Sequence, residues 1–122
     1  MAKVSRSSAE NVQDFGAAED RTSTAEGYTI GFTTIREAHD LAPALAGLPG
    51  GHCSCPHWGY VTRGRLVFTF ADRVEQYEAG DAFYTEPGHT PAADADTEFV
   101  MFSPADMLAV TEAAIAESMQ GT

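Results

Sequence analysis

A chain of 122 residues has room for one domain with one core, and an apolar fraction of 43% lets it fold without a disulfide scaffold. Its formal net charge of −11 is uneven: six Lys or Arg stand against seven Asp or Glu in residues 1–70, and one against eleven in residues 71–122. Such an acidic second half repels a phosphate backbone and argues against nucleic acid as a partner. Residues 2–15, AKVSRSSAENVQDF, lack the apolar run of a signal peptide. No stretch approaches the roughly 18 apolar residues of a membrane span, so the chain reads as cytoplasmic with no membrane partner.

Residues 1–27 are rich in Ser, Ala, Glu and Asp without a sustained period, and are expected to form a flexible arm. YTIGFTTI (28–35) has the β-branched and aromatic content of a strand. In the connection 36–51, Pro43, Pro49 and the Gly50-Gly51 pair leave room for at most one short helical turn. YVTRGRLVFTF (60–70) reads as a strand pair or a bent strand about Gly64, with Leu66, Phe68 and Phe70 on one face. Ala71-Asp72-Arg73 is a tight turn, VEQYEAG (74–80) the next strand, and Gly80-Asp81 a turn into AFYTEP (82–87). GHTPAADAD (88–96) is expected as a loop and TEFVMFS (97–103) as a further strand. Ser103 as cap, Pro104 at the first helical position and Asp106 in a capping box then open a helix, with Leu108, Thr111, Ile115 and Met119 as its apolar stripe. Closely spaced short strands suggest an all-β antiparallel sandwich or barrel.

The chemistry is concentrated in HCSCPHWGYVTRG (52–64) and AGDAFYTEPGHTP (79–91), which hold both cysteines and three of the four histidines. Thiolate and neutral imidazole suit zinc, nickel, copper or iron, whereas magnesium and calcium sites are built from oxygen. Cys53 and Cys55 are separated by one residue, so a disulfide between them would be strained in an extended segment.

These two segments resemble the two motifs of the cupin superfamily, and CPHWGYV with the later GD, PGHTP, DTE and FSP is similar to small bacterial cupin-domain proteins. The resemblance spans roughly residues 50–103 and implies a cupin jelly-roll β-barrel over 28–103, with residues 104–122 as a C-terminal α-helix packed outside it. It also implies a metal in the barrel mouth. The chain departs from the first motif, which carries two histidines and a glutamate. Counting back seven positions from Gly64, His57 stands where the glutamate would be, and His52 or Cys53 where the second histidine would be.

Pro56 favours extended geometry at Cys55, and on a straight strand Cys53, Cys55 and His57 share one face while His52 points away. Cys53, Cys55, His57 and His89 are therefore the expected ligands of one divalent transition metal, zinc first and nickel, iron or copper as alternatives, with His52 able to replace either cysteine. Each residue alone is more simply a core or rim residue. Clustered thiols and imidazoles from two segments need a common reason. Trp58, Tyr60, Phe68, Phe70, Phe83, Tyr84, Phe99 and Met101 are core residues or the lining of a small-molecule cavity. Glu86 is the candidate general base. Asp94, Asp96 and Glu98 read as a solvated acidic loop and Arg63 and Arg65 as solvated strand positions.

Three functions compete. One is a metal-binding cupin whose four protein ligands close the site, the second is a metal-dependent isomerase, decarboxylase or oxygenase with an open coordination position, and the third is an interaction or sensory module, supported only by the charged arm and the C-terminal helix. A homodimer is expected from the edge strand of a small barrel and an arm able to cover it.

Overall fold

Alternation of inward apolar and outward polar or aromatic residues pairs the strands into two antiparallel sheets. In this computed structural model residues 3–120 are described, the side chains of Met119 and Gln120 excepted, so Met119 of the expected helix stripe lies outside the described side chains. The strands are β1 (Asn11–Asp14), β2 (Ala18–Ala25), β3 (Tyr28–Ile35), β4 (His39–Asp40), β5 (His57–Arg63), β6 (Arg65–Thr69), β7 (Val74–Glu78), β8 (Ala82–Thr85), β9 (Thr90–Ala93) and β10 (Thr97–Pro104). One six-stranded sheet has the order β1-β2-β3-β10-β5-β8, and a four-stranded sheet has the order β4-β9-β6-β7. A single helix, α1 (Ala105–Gln120), follows β10 directly. No helix among the described residues is long and apolar enough to cross a membrane.

Val61, Phe83 and Phe99 from the larger sheet meet Leu66 and Phe68 from the smaller one in the core. A second buried cluster, Leu45, Cys53 and Cys55, lies under Leu108 and Ile115 of α1. The chain passes between the sheets at Gly64, whose φ of 82° favours glycine. A Cβ there would be driven into Thr97. The Thr97 hydroxyl staples this corner, accepting from Arg65 N–H (3.1 Å) and donating to Asp94 O (2.8 Å).

Four expectations are corrected. Residues 11–25, expected within a flexible arm, form β1 and β2 and extend the six-stranded sheet. The β2–β3 hairpin is closed by Glu26-Gly27, both at positive φ (51° and 80°), the geometry of a two-residue primed turn. Residues 90–93, expected as loop, form β9. Pro91 is tolerated there because its carbonyl accepts from Leu41 N–H (2.9 Å), so its nitrogen also faces away from the β6 ladder. Ser103 and Pro104 do not cap the helix but end β10, and Ala105 N–H donates instead to Gly27 O (2.9 Å). The connection 36–51 also holds more than one turn: β4 and two 3₁₀ segments, Ala42–Leu45 and Pro49–Gly51.

Candidate metal centre

The two motif segments are joined by one backbone bridge. Cys53 N–H donates to His89 O, and Gly88 N–H donates to Cys53 O, each at 2.8 Å. Gly88 permits this at a φ of 101°. His57 begins β5 on its inward face, opposite Thr85 of β8. One potential ligand atom each from Cys53, His57 and His89 then falls within 4.8 Å of the others, and all three side chains are buried.

The hydrogen bonds around these groups orient their donor atoms. His89 Nδ1 lies 2.7 Å from Glu86 O, and because a carbonyl only accepts, Nδ1 carries the proton. Nε2 of His89 therefore presents a bare lone pair, in a side chain that is 0% exposed, and has no hydrogen-bond partner among the described residues. His57 Nδ1 and Ser103 Oγ are hydrogen-bonded at 2.7 Å, leaving Nε2 toward Cys53 Sγ at 3.7 Å. Cys53 Sγ also accepts from Cys55 N–H (3.4 Å) and lies 3.2 Å from Thr111 Oγ1. Burial, with His89 alongside, holds the His57 imidazole down to about 3, and burial likewise lowers His89. Both rings are thus neutral near neutral pH, as metal ligands must be. The same depression argues against a thiolate–imidazolium nucleophile made of Cys53 and His57, which needs His57 charged.

The remaining expected residues lie elsewhere. Cys55 is outside the cluster: its thiol donates to Pro56 O (3.4 Å), and burial pushes it up to about 12. Same-face alternation requires a strand, and β5 begins only at His57; residues 54–56 are irregular. His52 is not in the cluster and lines a separate pocket of about 540 Å³. The Glu86 carboxylate lines that pocket too and pairs with Arg73, so its contribution to the centre is its backbone carbonyl. Arg65 pairs with Asp94 and Arg63 with Glu98 at the surface.

The cluster opens on a cavity of about 1380 Å³. Leu66, Phe68, Phe99 and Met101 form apolar wall, while Trp58, Tyr60 and Tyr84 lie exposed on the outer face of the larger sheet. Sequence reasoning missed Ser103 and Thr111. The alternation Thr97, Phe99, Met101, Ser103 already aims Ser103 inward, and Thr111 lies on the helix stripe that packs on the cysteines.

No protein-family model matches the sequence, and no curated protein matches it. Solved structures do match in fold. A protein of unknown function from Rhizobium leguminosarum bv. viciae has a TM-score of 0.60 and 17% identity over 84% of this chain and 94% of its own. The polyketide cyclase RemF from Streptomyces resistomycificus has a TM-score of 0.60 and 16% identity over 85% and 79%. An RmlC-like cupin from Shewanella frigidimarina has a TM-score of 0.52 and 15% identity over 77% and 83%. With its two antiparallel sheets and single C-terminal helix, the chain has the jelly-roll fold of the cupins.

Proposed function

We propose that the protein is a metal-dependent cupin in which Cys53, His57 and His89 hold one divalent transition metal, leaving a coordination position open to a small organic molecule in the cavity. The observation that carries this reading is the convergence of the unpartnered, buried His89 Nε2 with Cys53 and His57 on the cavity wall. An unpaired buried nitrogen costs about 1–3 kcal/mol, which coordination would recover. The hydrogen bonds of His89 to Glu86 O and of His57 with Ser103 Oγ orient the two imidazoles in the way that partners behind metal ligands do.

A mixed thiolate and imidazole set suits zinc first, with iron, nickel or copper as alternatives. When bound, such a metal supplies a Lewis acid for an oxygen of the ligand. The apolar wall of Leu66, Phe68, Phe99 and Met101 would hold the ligand's carbon body and exclude water. Three donors favour the open site over the closed four-ligand centre, for which Cys55 would have to turn out of its apolar cluster.

Cobalt substitution tests this. Adding Co(II) to metal-free protein should produce a thiolate-to-cobalt charge-transfer band and tetrahedral visible bands. Cys53→Ser should abolish the charge-transfer band, whereas Cys55→Ser should leave it. Absence of any cobalt spectrum in the wild type would defeat the proposal.

A further inference from the structure

Gly31 stands in the middle of β3, an eight-residue strand, with Thr22 of β2 opposite it on one side and Met101 of β10 on the other. A glycine inside a strand gives up conformational entropy and a side chain that could pack, so its presence there needs a cause. The usual causes are missing. Both ladders run through Gly31 without a register shift, so it is not at a bulge. Its φ is not positive, so an L side chain fits the backbone. Among the described residues, a Cβ built on it would meet only Thr22 Cγ2, at 3.4 Å, which is ordinary contact. No neighbouring strand or side chain therefore needs the space. Gly59 of β5, opposite Met101 in the same row, shows the contrast: a Cβ there would run into Val100 O and the Phe83 ring.

What lies over Gly31 is the cavity. Thr29 and Thr33 flank it along the inward face of β3, and its cross-strand partners Thr22 and Met101 complete the surround, all four lining the same space. Side chains stand around this position and none stands on it, so the peptide planes of β3 floor a shallow slot. A strand glycine that neither backbone nor packing requires marks a close approach to the main chain. A flat ring can lie on bare peptide planes at van der Waals distance, whereas a saturated ring, with hydrogens standing off both faces, is held away. The register also places the slot relative to the metal cluster. Thr29 is opposite Ser103, which holds His57, so the His57 row lies about 7 Å along the strands from Gly31 and about 10 Å across them. With the His57 side chain reaching inward, a fused two-ring body spans that interval.

We infer that Gly31 is a specificity-determining residue of the cavity: it admits a flat aromatic or conjugated ring system onto the backbone of β3 and turns away saturated bodies of the same outline. This rests on the cavity being the ligand site proposed above, but the shape preference does not require the metal.

The test is calorimetric titration of the zinc-loaded full chain with 2-naphthol and decahydro-2-naphthol, which share an outline and a hydroxyl and differ in flatness. The wild type should bind 2-naphthol at least about tenfold more tightly, although the saturated probe exposes more apolar surface. Gly31→Ala should melt at or above the wild-type temperature, keep its zinc, and weaken 2-naphthol by about fivefold or more. Gly31→Val, which stands a branched side chain in the slot, should take binding below detection; should it not fold, Gly31→Ala alone decides. The inference is overturned if the two probes bind alike or neither binds, or if the folded variants bind 2-naphthol as the wild type does. It is also overturned if Gly31→Ala melts well below the wild type, which would make the glycine a requirement of the fold. Zinc content is read separately. A protein that takes up no zinc yet keeps the preference defeats the metal reading and not this one, whereas a zinc-loaded protein without the preference does the reverse.

Discussion

Cys53 and Cys55 stand one residue apart and meet different environments. Cys53 Sγ lies between His57 and Thr111, whereas Cys55, 0% exposed, packs with Leu45 beneath α1. Cys53→Ser should therefore abolish metal uptake, and Cys55→Ser should keep it while lowering stability by about 1–3 kcal/mol, since a hydroxyl replaces a buried thiol. Elemental analysis and urea melts on the two variants check this, and metal loss in Cys55→Ser with no effect in Cys53→Ser would reverse the assignment. The histidines make a second prediction. Both are held neutral by burial below the usual value near 6.5, so in metal-free protein the unfolded chain takes up protons first as pH falls. Their stabilising contribution is complete above about pH 6.5 and is lost progressively toward the folded value of about 3 for His57. Thermal melts of metal-free protein should fall across that window, and His57→Gln should flatten part of the fall. The donor types were legible in the sequence because few residues supply thiol or imidazole. Cys55 was misplaced because facing follows from where a strand begins, and the Cys53–His89 bridge ends regular geometry before β5 starts.

At the level of elements, the strands easiest to read were those in which period-two alternation carried large apolar residues. Leu66, Phe68 and Phe70 are all buried as expected, and β10 runs as the sequence suggested. β1 and β2 escaped notice because their inward positions include Ala18, Asp20 and Thr22, which carry little hydrophobic contrast. β9 escaped because Pro91 marks a turn unless its nitrogen faces away from the ladder. The bend at Gly64 was visible in the sequence, and the structure gives it a cost. Gly64→Ala should destabilise the fold by about 1–3 kcal/mol, since alanine resists this φ and its Cβ meets Thr97. Chemical denaturation measures it, and a neutral result would mean that the corner relaxes freely.

At the scale of the whole molecule, the outer face of the six-stranded sheet exposes Tyr28, Trp58, Tyr60, Tyr84 and Phe102, with Trp58 at 42% exposure against the rings of Tyr28 and Tyr84. Contiguous aromatic surface of this kind marks an interface. We propose that it pairs two copies of the chain, in place of the arm contact expected from the sequence. Light scattering should give twice the chain mass, and Trp58→Asp should return it to one; a monomeric wild type would contradict this. The central claim, however, is the three-donor metal centre. Its most direct measurement is the metal content of protein purified without an affinity tag, compared with His89→Ala prepared in the same way. About one transition metal per chain in the wild type and none in the variant is the result expected. A folded wild type that carries no metal and takes none up from added zinc, iron, nickel or copper would contradict it.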